Sequence, residues 1–152
     1  IKKYFYEKNC IIELSESREK YFKELCRIIK KNKGFIIIFD YGYENSLNYS
    51  SLQSIKYHKY TNILDNPGQQ DISSFVNFTR LKEIAVKEKL EISYFDTQKN
   101  FLISNGIIQR KEKIALKCSK KQIQVLENGL KRITEKNGMG ELFKCLIVSS
   151  KN

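Results

Sequence analysis

Asp40 and Tyr41 stand directly after the apolar run Phe35–Phe39. In open α/β sheets ligands bind outside the carboxyl ends of the strands, so a carboxylate and a phenol placed there are candidates for chemistry. Asp40 can hold a cation in such a crevice, or it can bond nearby backbone amides as strand-terminating aspartates do. Tyr41 can line a substrate channel with ring and hydroxyl, or pack. His58, the single histidine, is the side chain whose unperturbed pKa lets it act as a base near neutrality. It lies in a long basic loop, where a plain polar surface role is the alternative. Asp71 follows the turn signal Asn66-Pro67-Gly68 and precedes Ile72-Ser73, placed either to meet a substrate or to anchor the loop through backbone hydrogen bonds. Gln53 and Gln98 can orient backbone or substrate, with structural roles the simpler reading.

Metal chemistry is not expected. Cys10, Cys26, Cys118 and Cys145 are far apart with no CxxC spacing, and His58 has no neighbouring cysteine, so the pattern reads as four reduced thiols in a reducing compartment. The one closely spaced glycine pair, Gly138 and Gly140, follows a helix instead of opening one and cannot present helix N-terminal amides to a carboxylate or phosphate. No cofactor-binding residue is therefore assigned.

The elements that must position these residues alternate strand and helix. Cys10 to Leu14 reads as a short strand, and Ser15 can cap a helix over 15–32 with Glu16 and Glu19 at its positive end. Phe22, Leu25, Cys26, Ile28 and Ile29 recur at helical spacing, and Gly34 stands where a left-handed terminating residue is wanted. Phe35–Phe39 is apolar on both faces, which suits an interior strand of a parallel sheet covered by helices. From Tyr43 to Gln70 the chain is polar and irregular apart from a strand near Leu52 to Tyr57, and a connection of that length suggests function. Asn77 can cap a helix over 78–89, a strand follows over 90–95, a short helix breaks near Gly106, helices cover 109–117 and about 119–136, and 141–148 is a final strand.

With 152 residues, 41% of them hydrophobic, the chain is long enough for one domain or part of one. It begins at Ile1 and its only methionine is Met139, so it is expected to be a piece of something longer. No window approaches the roughly 18 apolar residues of a membrane span, and the basic start lacks the apolar stretch of a signal peptide, so a soluble, non-secreted protein is expected. The formal charge of +11 raises nucleic acid or a membrane surface as partner, but the basic residues are scattered, and solvated helix faces are the preferred explanation.

Several segments in order resemble the MidA methyltransferase family: Phe35-Ile-Ile-Ile-Phe-Asp-Tyr-Gly42, Ser51-Leu-Gln53 before His58, Pro67-Gly-Gln-Gln-Asp-Ile-Ser73, Val76-Asn-Phe78, Thr97-Gln98 with Phe101-Leu102, Gly106-Ile107 and Met139-Gly-Glu-Leu-Phe-Lys144. The resemblance implies an α/β, Rossmann-like class I methyltransferase sheet, with 35–40, 90–95 and 141–148 as its fifth, sixth and seventh strands and flanking helices. It implies that residues 1–152 are the C-terminal portion of a single methyltransferase domain, with the N-terminal half that binds S-adenosylmethionine absent and required as partner. It further implies a protein arginine as methyl acceptor, on a complex I subunit for the mitochondrial member, with a matrix location in eukaryotes and a cytoplasmic one in bacteria.

A guanidinium acceptor stays protonated at neutral pH, so it needs carboxylates to hold it and a path for the departing proton. Asp40, Tyr41, His58 and Asp71 are the residues matched to that task. Asn77 departs from the Val-Asp-Phe expected of the family, an exchange nearly neutral for a helix cap but not for a catalytic charge. The fifth strand would also present an open edge where the fourth is missing, so the segment is expected to be stable only with its other half. Two further classes stay open: a non-catalytic remnant or interaction subunit, and a basic nucleic-acid-binding module.

Overall fold

The computed structural model describes residues 11–150. Helix α1 (Glu16–Asn32) buries Phe22, Cys26 and Ile29, carries Glu16 and Glu19 in its first turn and Lys30 and Lys31 in its last. Ser15 occupies the N-cap through its carbonyl, which accepts the Glu19 amide at 3.0 Å, while its side chain makes no cap bond. Lys33, not Gly34, takes the left-handed conformation that ends the helix (φ 53°, ψ 53°), and the amides of both residues reach the Ile29 carbonyl. Of the expected strand at the start, Ile11 forms an isolated antiparallel bridge to Leu47, and Cys10 lies outside the described residues.

Strand β1 (Phe35–Tyr43) is central to a four-stranded sheet of order β5-β1-β7-β6, whose other members are β5 (Val76–Asn77), β6 (Glu91–Thr97) and β7 (Phe143–Ser149). The sheet is mixed, not parallel: β1 runs antiparallel to β7 from Phe35↔Ser149 to Tyr41↔Phe143, and parallel to β5 only at Gly42↔Val76 and Tyr43↔Asn77. The expected helical cover is also one-sided, since Phe35, Ile37 and Phe39 stay exposed, and the direction of a strand's neighbour is set by connections that its own residues do not encode. β7 pairs antiparallel with β6 on its other side.

One face of the sheet is well covered. Ile36, Ile38, Ile92 and Phe95 pack against Phe22, Cys26, Leu81, Ala85, Leu146 and Val148, with α1 and α2 (Phe78–Lys87) as the covering layer. Phe78, Leu146 and Val148 are fully buried, each contributing on the order of 1.5–3 kcal/mol by removal from water. Burial raises the thiols of Cys26 and Cys145 to about 11, so both stay protonated at neutral pH. Arg80 of α2 forks onto Glu19 of α1 at 3.1 and 2.9 Å, locking the two helices together.

On the opposite face Phe35 is 66%, Ile37 47% and Phe39 41% exposed, Phe39 resting edge-on against Phe101 at 5.1 Å. Over residues 35–41 the edge of β1 away from β7 has no strand partner among the described residues.

The stretch expected to be irregular apart from a strand near Leu52 to Tyr57 contributes to a second sheet, of order β3-β2-β4, in which β2 (Gln53–Lys56) is that strand and β3 (Lys59–Thr61) and β4 (Asp71–Ser73) are additional. β2 and β3 are joined by Tyr57 and His58, both at positive φ (49° and 60°), as a two-residue hairpin loop requires. Glycine or asparagine usually signals such a loop, which is why the sequence hides it. The Asn66-Pro67-Gly68 turn forms as expected, with Gly68 at φ 79° and the Gln69 amide on the Asn66 carbonyl at 3.0 Å.

Beyond β6 come α3 (Gln98–Ser104), α4 (Ile107–Ala115), α5 (Lys120–Thr134) and a single turn α6 (Met139–Leu142) that delivers the chain into β7. Ser119 and Gln122 form a reciprocal capping box at the start of α5. None of the described helices is long and apolar enough to cross a membrane.

Candidate functional site

β1 does not end at Asp40 as the sequence suggests but runs through Asp40-Tyr41-Gly42 to Tyr43, because of what surrounds Gly42. A Cβ on Gly42 would lie 2.2 Å from the Val76 carbonyl and 2.7 Å from the Phe78 ring, so only glycine allows β5 to pair there and α2 to start beneath it. Next to it Tyr41 is packed edge-on against Phe75 at 5.5 Å and Phe143 at 5.6 Å. Its ring is therefore a wall of the site and a structural wedge together.

Asp40 and Tyr41 line a cleft of about 300 Å³ between the two sheets, shared with Arg18 of α1 and with Ile72, Ser73 and Ser74. Asp40 accepts the Tyr41 amide on Oδ1 at 2.9 Å, and its Oδ2 has no protein partner among the described residues. Arg18 donates to the Phe75 carbonyl at 3.1 Å and the Ser74 hydroxyl at 3.2 Å, and no carboxylate among the described residues pairs with it. Carboxylate and guanidinium thus share one cleft with binding capacity left over.

The segment 73–76 that roofs this cleft is held from both sides. The Phe75 amide donates to Ser51 Oγ at 2.8 Å, and buried Ser51 in turn donates its own amide to Glu13 Oε1 at 2.7 Å and its hydroxyl to Glu13 Oε2. Arg18, Glu13 and Ser51 were not singled out from sequence as site residues. Arg18 alone left a faint signal, a cation in the first turn of a helix where the dipole disfavours it.

His58 and Asp71 line a second cleft, of about 450 Å³, together with Ile55, Lys56, Gln69 and Gln70. His58 sits at the exposed hairpin tip and Asp71 on β4, both without a side-chain hydrogen bond among the described residues. The four candidates therefore fall into two pairs, and β4 links them: Asp71 faces one cleft while Ile72 and Ser73 line the other.

The remaining candidates have structural partners. Asn77 accepts the Arg80 amide at 3.2 Å as a helix cap, buried Gln98 donates to the Ile133 carbonyl at 3.0 Å, and Gln53 donates to Ser73 Oγ at 3.2 Å. Gly138 and Gly140 open no cradle, because Cβ atoms there would lie 2.4 Å from the Arg132 and Thr134 carbonyls respectively. Among the described residues no group of three metal-ligating side chains occurs, and Cys26, Cys118 and Cys145 are free.

Residues 1–95 match a family model described as "Putative S-adenosyl-L-methionine-dependent methyltransferase". The chain is 34% identical over 97 residues to the protein arginine methyltransferase NDUFAF7 homolog, mitochondrial, of Caenorhabditis elegans, a match over 62% of this chain and 22% of that one. Among solved structures it resembles a superfamily member from Burkholderia thailandensis bound to S-adenosyl-homocysteine, with TM-score 0.81, 19% identity, and coverage of 95% of this chain and 38% of that one. An uncharacterized protein of the same superfamily and organism gives TM-score 0.82 at 21% identity over 90% of this chain and 37% of the other. The chain spans well under half the length of each of these relatives.

Proposed function

This chain belongs to the family of S-adenosyl-L-methionine-dependent methyltransferases, and on that premise we propose that it is the C-terminal, acceptor-side portion of a protein arginine methyltransferase. Its partner on this reading is the N-terminal portion of the same domain, which carries the cofactor. Gly42, Gly138 and Gly140 offer S-adenosylmethionine no glycine cradle, because the space each would leave open is filled by backbone or ring atoms. The edge of β1 between Phe35 and Tyr41, which has no strand partner among the described residues and carries a half-exposed apolar face, is the surface on which the preceding half docks.

The observation that carries the reading is Asp40, a carboxylate in the C-terminal half of β1 whose Oδ2 faces a cleft and has no protein partner among the described residues. A protonated guanidinium matches it as a charge-assisted, planar donor. Tyr41 and the clamped 73–76 segment wall the cleft, and Arg18 shapes it by holding the roof. His58 and Asp71 line the neighbouring cleft across β4, where they contact the part of a protein substrate that extends past Asp40. The worm relative's name supports arginine as the acceptor, and the resemblance to complex I assembly factors extends this to a respiratory complex I subunit.

Methyl transfer by the full-length protein to an arginine-bearing protein tests the assignment. Asp40→Asn should lower kcat/KM about 10- to 100-fold, the usual worth of a charge-assisted hydrogen bond, with the thermal transition unchanged. Equal activity of the variant and the native protein would remove Asp40 from the site.

A further inference from the structure

Residues 105–136, little more than a fifth of the chain, hold nine basic side chains against three acidic ones. Three of the nine, Arg110, Lys113 and Lys117, line a single open cleft of about 510 Å³ with Gln109 and Ile114. Arg110 and Lys113 stand three residues apart on one face of α4 and Lys117 follows in the turn just beyond its end, so the Cα atoms of the three spread over roughly 10 Å along the cleft. Lys111 is neutralised by Glu127 of α5 at 3.6 Å, whereas none of the three cleft cations has a carboxylate partner among the described residues. Glu112, two positions after Arg110, falls on the far side of the helix. Like charges crowded on one face repel one another, and an anion laid along that face relieves the repulsion.

The chemistry of the rest of the surface distinguishes between anions. Single-stranded nucleic acid is bound by combining cations with aromatic rings on which bases stack. Neither α4 nor α5 contains an aromatic residue. Aliphatic side chains stand exposed next to the cations in sequence instead, with Ile114 41% and Leu116 87% accessible, Ile114 lining the cleft itself. We infer that the α4 face is a docking site for an acidic polypeptide segment that also carries apolar side chains. This site lies apart from Asp40 and its cleft and does not depend on the methyltransferase assignment.

The test is fluorescence anisotropy of a labelled peptide of alternating Glu and Leu on the full-length protein, with an oligothymidine as competing probe, from 50 to 300 mM NaCl. The peptide should bind more tightly than the oligothymidine and weaken as salt shortens the screening length below the 10 Å span of the cations. The triple variant Arg110→Gln, Lys113→Gln, Lys117→Gln should lose about tenfold in affinity, the combined worth of three exposed ion pairs. A control triple on α1, Lys20→Gln, Lys30→Gln, Lys31→Gln, removes the same charge and should lose less than threefold. Equal losses in the two triples, tighter binding of the oligothymidine, or no peptide binding at all would each overturn the inference.

Discussion

The four-stranded sheet fully buries Phe78, Leu146 and Val148, whereas the three-stranded sheet has Ser54 as its one fully buried side chain among those described and leaves Tyr57, Tyr60 and Ile72 exposed. The first is held by apolar area and the second by hydrogen bonds reaching in from outside it. Glu13 and Ser51 fix one end of the small sheet, Arg18 holds the roof next to it, and Gln70 bonds the Asn62 and Ile63 carbonyls and Thr61 within it. Asp40 lies where the two meet, and His58 and Asp71 lie on the polar one. Candidate chemistry is thus divided between the rigid frame, which carries Asp40 and Tyr41, and the part that can rearrange at least cost, which carries His58 and Asp71.

The contrast is broken most strongly in the apolar sheet. Phe78→Ala should destabilise the full-length protein by about 3–5 kcal/mol in urea unfolding, and a loss below about 1.5 kcal/mol would show that this core is not rigid. Gly42→Ala comes next, at about 2–3 kcal/mol, because its Cβ would drive into the Val76 carbonyl and Phe78 ring and force β5 away. In the polar sheet Glu13→Ala should cost about 1–3 kcal/mol by stranding the Ser51 amide. Hydrogen exchange should confine that effect to about residues 44–75, and spread into β7 would mean that the two sheets do not separate energetically. The smallest effect sharpens the boundary: Asn77→Ala should cost about 1 kcal/mol through the lost cap, while Asn77→Asp should stay within about 0.5 kcal/mol.

The same division explains what could be read from the sequence. Helical spacing of Phe22, Cys26 and Ile29, the apolar run into Asp40, and Asn77 as a cap each follow from local rules, and α1, β1 and α2 formed where those rules place them. The antiparallel direction of β7, and Lys33 in place of Gly34 as the left-handed residue, depend on contacts distant in sequence or on energies too small to read. Of the small sheet, β2 was legible near Leu52 to Tyr57, while β3 and β4 were hidden because each is three residues long and the hairpin uses Tyr57-His58 where Asn-Gly would announce a turn. Asp40, Tyr41, His58 and Asp71 were identifiable by residue type and place, but their sorting into two clefts was not, because β4 sets it. The clamp of Glu13, Ser51 and Arg18 joins positions 38 and 57 residues apart, which no periodicity reveals.

Calorimetric titration of S-adenosylmethionine onto the 152 residues alone, and onto the same residues joined to the coding sequence upstream, tests the division of labour most directly. The account predicts heat of binding from the joined form and none from the 152 residues. Stoichiometric binding by the 152 residues alone would contradict it, because the cofactor site would then lie within this chain.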